Sequence, residues 1–202
     1  MNKYSHIMIG EIVYEHLKKE HGIHLEKDSF IKGNIIPDFS YYAIVHPHFM
    51  NLSLGFVQAE IETLSKTYLK SALVGSDYSY RLGIICHYYA DFFCYAHSSH
   101  YKQIIVNHLK YEHLLHEHFL KSLDLISKND ALFSCDISKS PEEINSKMLQ
   151  FHAQYSRLEP SYDNDLEYTL KACTETFASL AYYSSTHAFF GSLDICGEKA
   201  AV

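Results

Sequence analysis

Histidines and carboxylates at helical spacing are the residues of this sequence that could do chemistry. In GIICHYYADFFCYAH, His87 and Asp91 stand four residues apart, so on a helix both side chains leave one face. An imidazole and a carboxylate so placed can hold one Zn²⁺, or can form a buried His–Asp hydrogen bond between helices. The pair alone does not choose. His97 comes six residues after Asp91, about 240° around the helical period. It must therefore serve a second metal or lie past a bend. Downstream, NHLKYEHLLHEHF offers two overlapping pairs, His108 with Glu112 and His113 with Glu117. They sit about 140° apart, so only one can face a given point, and spacing favours neither. GNIIPDF followed by HPHF supplies Asp38 directly after Pro37, with His46 and His48 nearby. Alone, Asp38 reads as a helix cap or Asx turn, and His6 as a partly buried aromatic. Together these segments suffice for a two- or three-metal site of nitrogen and oxygen donors.

The elements that must position these residues read as helices. Apolar residues recur at helical spacing over 5–21, with Gly22 as the stop, and a short helix follows at 28–35. Pro37 breaks the chain, and 38–52 reads as irregular. Further helices are expected at 53–71, 77–97, 101–126, 141–156 and 164–186, with a loop over 128–141 and a frayed end over the last dozen residues. The 77–97 stretch is apolar nearly all round, the mark of a buried central helix. Strand alternation and Asn-Gly turns are absent. The fold class is therefore all-α, a multi-helix bundle spanning residues 1–202 as one domain.

Composition bounds the function. Of 202 residues, 47% are hydrophobic and 20% charged, which excludes a disordered or low-complexity chain. The net charge of −7 argues against a broad nucleic-acid surface. No apolar run reaches the roughly 18–20 residues of a membrane helix. The first residues, MNKYSHIMIGEIVYEHL, carry His and Glu where a signal peptide needs an apolar stretch, so a cytoplasmic protein that keeps Met1 is expected. Cys86, Cys94, Cys135, Cys173 and Cys196, odd in number and without close pairing, fit reduced thiols. Fifteen His nearly match the 17 Lys plus Arg, and five of them cluster between His100 and His118, which argues against simple drift.

The order His6, Pro37-Asp38, His48, His87-x3-Asp91-x5-His97 and His108-x3-Glu112 resembles the bacterial zinc-dependent phospholipase C family. GNIIPD and HYYADFFCYAH look like its cytoplasmic-type Firmicute members, and fungal single-strand zinc nucleases are more distant relations. The resemblance covers roughly residues 5–120. It implies a phosphodiester hydrolase of the phospholipase C type, in which zinc-activated water attacks phosphorus. It implies one zinc on Asp38, His48, His87 and Asp91, and a second on His97, His108 and Glu112. A third position would use His6 and a shared oxygen of Asp91. Asp38 would also orient or deprotonate the water. The family spacing selects His108-Glu112 over His113-Glu117; of His46 and His48, both offered by HPHF, His48 is taken as the expected ligand. Secreted members complete the third zinc with an N-terminal Trp, which this chain lacks. Two zinc ions are thus the core expectation, with the third position open.

Competing chemistries lack their residues. Glu-x-x-His of a di-iron bundle, HExxH of a zincin and adjacent His-Asp of an HD hydrolase are all missing. The expected partner is a phospholipid or other phosphodiester. A nuclease ranks lower because Lys102, Lys110 and Lys121 are scattered, and no stable nucleic-acid complex is expected. The remaining alternative is a metal-binding descendant without turnover.

Overall fold

The structure is a computed structural model. It describes residues 1–202 except 68, 70–72, 103, 127–128, 130–132, 134–135 and 195–202, and the backbone alone over 187–194. Cys135, Cys196, part of the expected 128–141 loop and the end of the expected frayed tail lie outside the described residues.

Helix α1 (Lys3–His21) opens where the Asn2 side chain accepts the Ser5 N–H at 2.9 Å. It closes at Gly22, whose φ of 64° is the left-handed conformation that glycine adopts without a Cβ penalty. Its buried stripe runs through His6, Ile9, Val13 and Leu17. Helix α2 (Lys27–Gly33) starts where Glu26 accepts the Asp28 and Ser29 N–H groups. Next come two single turns, α3 (Ile36–Phe39) and α4 (Tyr42–Val45). The expectation of irregular chain over 38–52 is corrected here. Pro37 falls in the first turn of α3, where its missing N–H is not needed, so it starts a turn rather than ending one.

Helix α5 (Met50–Ser65) stops short of the expected 71. Tertiary bonds take over the chain beyond it: Leu69 N–H reaches the Ser184 carbonyl at 3.4 Å, and Val74 N–H the His24 carbonyl at 2.9 Å. Helix α6 (Ser76–Phe92) is the buried centre, with every residue from Leu82 to Phe92 enclosed. It too ends earlier than expected. A 3-10 turn (Tyr95–His97) follows, because the Tyr95 N–H is drawn to Asp165 Oδ2 at 3.2 Å. Helices α7 (Ile105–Ile126), α8 (Pro141–Tyr155) and α9 (Tyr162–Asp194) complete the bundle. Side chains of α1, α2 and α5–α9 join in one hydrophobic cluster. Among the described residues there is no strand, only an isolated bridge between His24 and Leu73. No described helix is long and apolar enough to cross a membrane.

Candidate metal centre

Asp91, in the last turn of α6, is fully buried, and four imidazoles converge on its two oxygens. Oδ1 stands 3.5 Å from His6 Nε2 on α1 and 3.5 Å from His97 Nε2 on the 3-10 turn. Oδ2 stands 3.1 Å from His48 Nδ1 and 3.4 Å from His87 Nε2. Asp38 on α3 closes this side: its Oδ1 lies 3.4 Å from His48 Nδ1 and 3.7 Å from His87 Nε2. On the other side, His97 and His108 approach Glu112 Oε1 at 3.1 and 2.9 Å. Three donor groups result, each within 4.8 Å: His6, His87 and Asp91; Asp38, His48 and His87; His97, His108 and Glu112.

The donor set fits divalent zinc on two counts. Two ligands about 2.0–2.1 Å from one tetrahedral ion stand about 3.4 Å apart, the separation seen for most of these pairs. Several are too long for hydrogen bonds, and both ring nitrogens of His6 and Nε2 of His87 are buried without a hydrogen-bond partner. Buried polar atoms are rarely left so. His87 Nδ1 faces the Asn34 carbonyl at 3.0 Å. A carbonyl only accepts, so the proton sits on Nδ1 and Nε2 presents its lone pair. The Asn34 side chain meanwhile donates to the His6 carbonyl at 2.5 Å, tying α1, α2 and α6 together.

Charge is arranged for the same end. Burial, then the neighbouring His6, holds His87 well below its ordinary range, leaving it neutral. Burial would raise Glu112, but hydrogen bonds from His108 and His97 keep its carboxyl below the carboxylate range. Asp38 moves up, through burial and the nearby Asp91. The Met1 amine reaches the same place. It donates to Asp91 Oδ1 and lies 3.1 Å from His97 Nε2 and 3.3 Å from Glu112 Oε1. Burial favours the neutral amine, but the Asp91 and Glu112 charges outweigh it and push the group up to about 11.

All eight residues of the expected ligand sets thus meet in one place. His97 does so because it lies past a bend. His6, read alone as a partly buried aromatic, is fully enclosed and stacks on His87 at 4.0 Å. The competing residues stay out. His113 and Glu117 pair at 3.5 Å on the solvent face, and His46 stacks on Phe56 at 3.9 Å. Beside His97 opens a cavity of about 690 Å³ floored by Met50, Leu54 and Phe92.

Asp165 on α9 escaped the sequence reading, since an Asp in a helix's first turn looks like a cap. It accepts from Tyr155 Oη at 2.7 Å, Tyr111 Oη at 2.9 Å and the Tyr95 N–H, so one carboxylate anchors α7, α8 and the turn that carries His97. Burial pushes its carboxyl up to about 6 despite these three donors. Because the folded value lies above the unfolded one of about 4, the contribution of Asp165 to stability is fullest below pH ~4 and is lost as pH rises through ~6. In metal-free protein, urea titrations should therefore show the parent losing about 3 kcal/mol more than Asp165→Asn between these limits. Parallel curves for the two proteins would remove this role.

The family model described as zinc dependent phospholipase C matches residues 5–162. No curated protein and no solved structure shows a significant match to the chain.

Proposed function

The chain belongs to the zinc-dependent phospholipase C family, and we propose that it hydrolyses a phosphodiester, a phospholipid among the candidates, at a centre of two zinc ions. Asp38, His48, His87 and Asp91 hold the first ion, and His97, His108 and Glu112 the second. His6 and Asp91 mark a third position. The observation that carries this reading is the convergence of imidazoles on carboxylates at ligand–ligand separations, with both ring nitrogens of His6 and Nε2 of His87 buried and without a hydrogen-bond partner. Zinc there would supply a Lewis acid for phosphate oxygens and a nucleophilic water at neutral pH.

The protein's own groups do the rest. Asp91 is wholly enclosed and serves to hold charge. Asp38 is the carboxylate of the cluster that reaches solvent most, at 22% side-chain exposure. It is therefore the group to orient the attacking water and take its proton. Asn34 keeps His87 in the tautomer that offers Nε2. The cavity beside His97 has room for one arm of the diester. A reducing, cytoplasmic compartment fits the thiols of Cys86 and Cys173, buried 3.8 Å apart and unjoined.

The test is elemental mass spectrometry on untagged protein, with turnover of a chromogenic phosphodiester measured beside it. Two or three zinc ions are expected, with turnover that a chelator removes and zinc restores. His113→Ala should retain both properties. Zinc binding without turnover of any diester would leave a metal-binding descendant, and a chain that takes up no zinc would end the hydrolase reading.

A further inference from the structure

The surface around the centre is unlike the rest of the chain. Residues 39–59 contain no charged residue, although a composition of 20% would place about four there. Residues 92–111 contain no Asp or Glu, and their only charges are Lys102 and Lys110. The net charge of −7 is therefore carried elsewhere. These two segments directly flank the cluster. The first follows Asp38 and contains His48, and the second contains His97 and His108.

Both segments expose apolar side chains that the fold does not use. On the first border Phe39 is 67% exposed, Tyr41 72% and Ile44 75%. On the second, Ile104, Ile105 and Val106 are exposed in succession, joined by Leu109 one turn on. Runs of consecutive exposed apolar residues are costly in water and are kept where something covers them. A cation sits at the first border as well, with Lys3 Nζ 5.8 Å over the Phe39 ring.

We propose that these two borders form a lipid-docking surface, which seats the metal centre over the headgroups of a bilayer. The proposal rests on the phosphodiester reading for its purpose. Exposed aliphatic and aromatic tips beside lysines, without carboxylates, are the composition that enters a headgroup layer and tolerates anionic lipid. A protein partner spanning both borders would instead cover Asp38, His48 and His108, the cluster residues that reach solvent. Two apolar borders beside the partly exposed Asp38, His48 and His108 suit a soft surface that can present a headgroup to these residues.

The absence of Trp from the chain supplies a clean probe. Ile105→Trp places an indole on the border. Leu125→Trp places one on the same helix, 20 residues and about 30 Å away, at an equally exposed site. With vesicles of phosphatidylcholine, and of an equal mixture with phosphatidylglycerol, the indole at 105 should shift to the blue and the one at 125 should not. In co-sedimentation, Ile44→Ser with Ile105→Ser should lower vesicle partitioning at least about tenfold, while turnover of a soluble chromogenic diester stays unchanged. Equal shifts at both positions would overturn the proposal. So would unchanged partitioning of the double variant, or a parent dimer that the double variant dissociates. A parent that hydrolyses soluble diester yet ignores vesicles would sink the docking surface and leave the hydrolase reading intact. Vesicle binding through these residues without any diester turnover would do the reverse.

Discussion

Asp91→Asn is expected to lose zinc and to lower diester turnover by at least about 10³-fold. One carboxylate serves every part of the centre: His6 and His97 face Oδ1, and His48 and His87 face Oδ2. An amide is nearly the same size, yet it has no charge and offers an NH₂ where the second oxygen was. Losing a single donor to a transition state costs about 10²–10³ in rate, and this change removes a ligand and the ion it holds. The effect should separate from a general loss of fold. Zinc at about 100 times its dissociation constant should raise the parent's unfolding free energy by about 2.7 kcal/mol, and should leave the variant almost unmoved. Retention of the parent's zinc content, with turnover within about tenfold, would show that Asp91 is not the hub.

Gly83→Ala is the second large effect, and it acts through packing. Helices α2 and α6 cross with backbone against backbone. A Cβ on Gly83 would lie 2.1 Å from the Phe30 carbonyl oxygen, and one on Gly33 would lie 2.0 Å from the Tyr80 carbonyl oxygen. Neither obstacle is a side chain that can rotate away, so the helices must part. We expect a loss of about 3 kcal/mol or more in unfolding free energy. Protein that still folds should bind zinc about 10–100-fold more weakly, because Asn34, next to Gly33, would no longer meet His87 Nδ1. Gly55→Ala is the control. It is exposed within α5 with nothing within 4 Å of the added carbon, so it should gain up to about 1 kcal/mol. Thermal melts and zinc titrations of the two variants read both expectations. An Ala at position 83 as stable as the parent would mean that the crossing has slack.

What the sequence determined by itself lies within single helices. The period places His87 with Asp91, and His108 with Glu112, because residues four apart share a face whatever surrounds the helix. It also marks α1, its glycine stop and the enclosed character of α6, since periodicity and composition are local. The resemblance to a known family added the joining of these pairs into one centre. The phase of each helix against its neighbours was settled only by the tertiary structure. Periodicity says that His108-Glu112 and His113-Glu117 lie about 140° apart on α7, but only packing turns the first pair inward and leaves the second in solvent. Likewise His48 enters the cluster while His46 stacks on Phe56, a choice made by the single turns α3 and α4 and the start of α5. His97 joins Asp91 because Asp165, some 70 residues away, captures the Tyr95 N–H and bends the chain. The Asn34 carbonyl arrives by the same kind of long-range approach, through a backbone group that every residue carries and no pattern of side chains can announce.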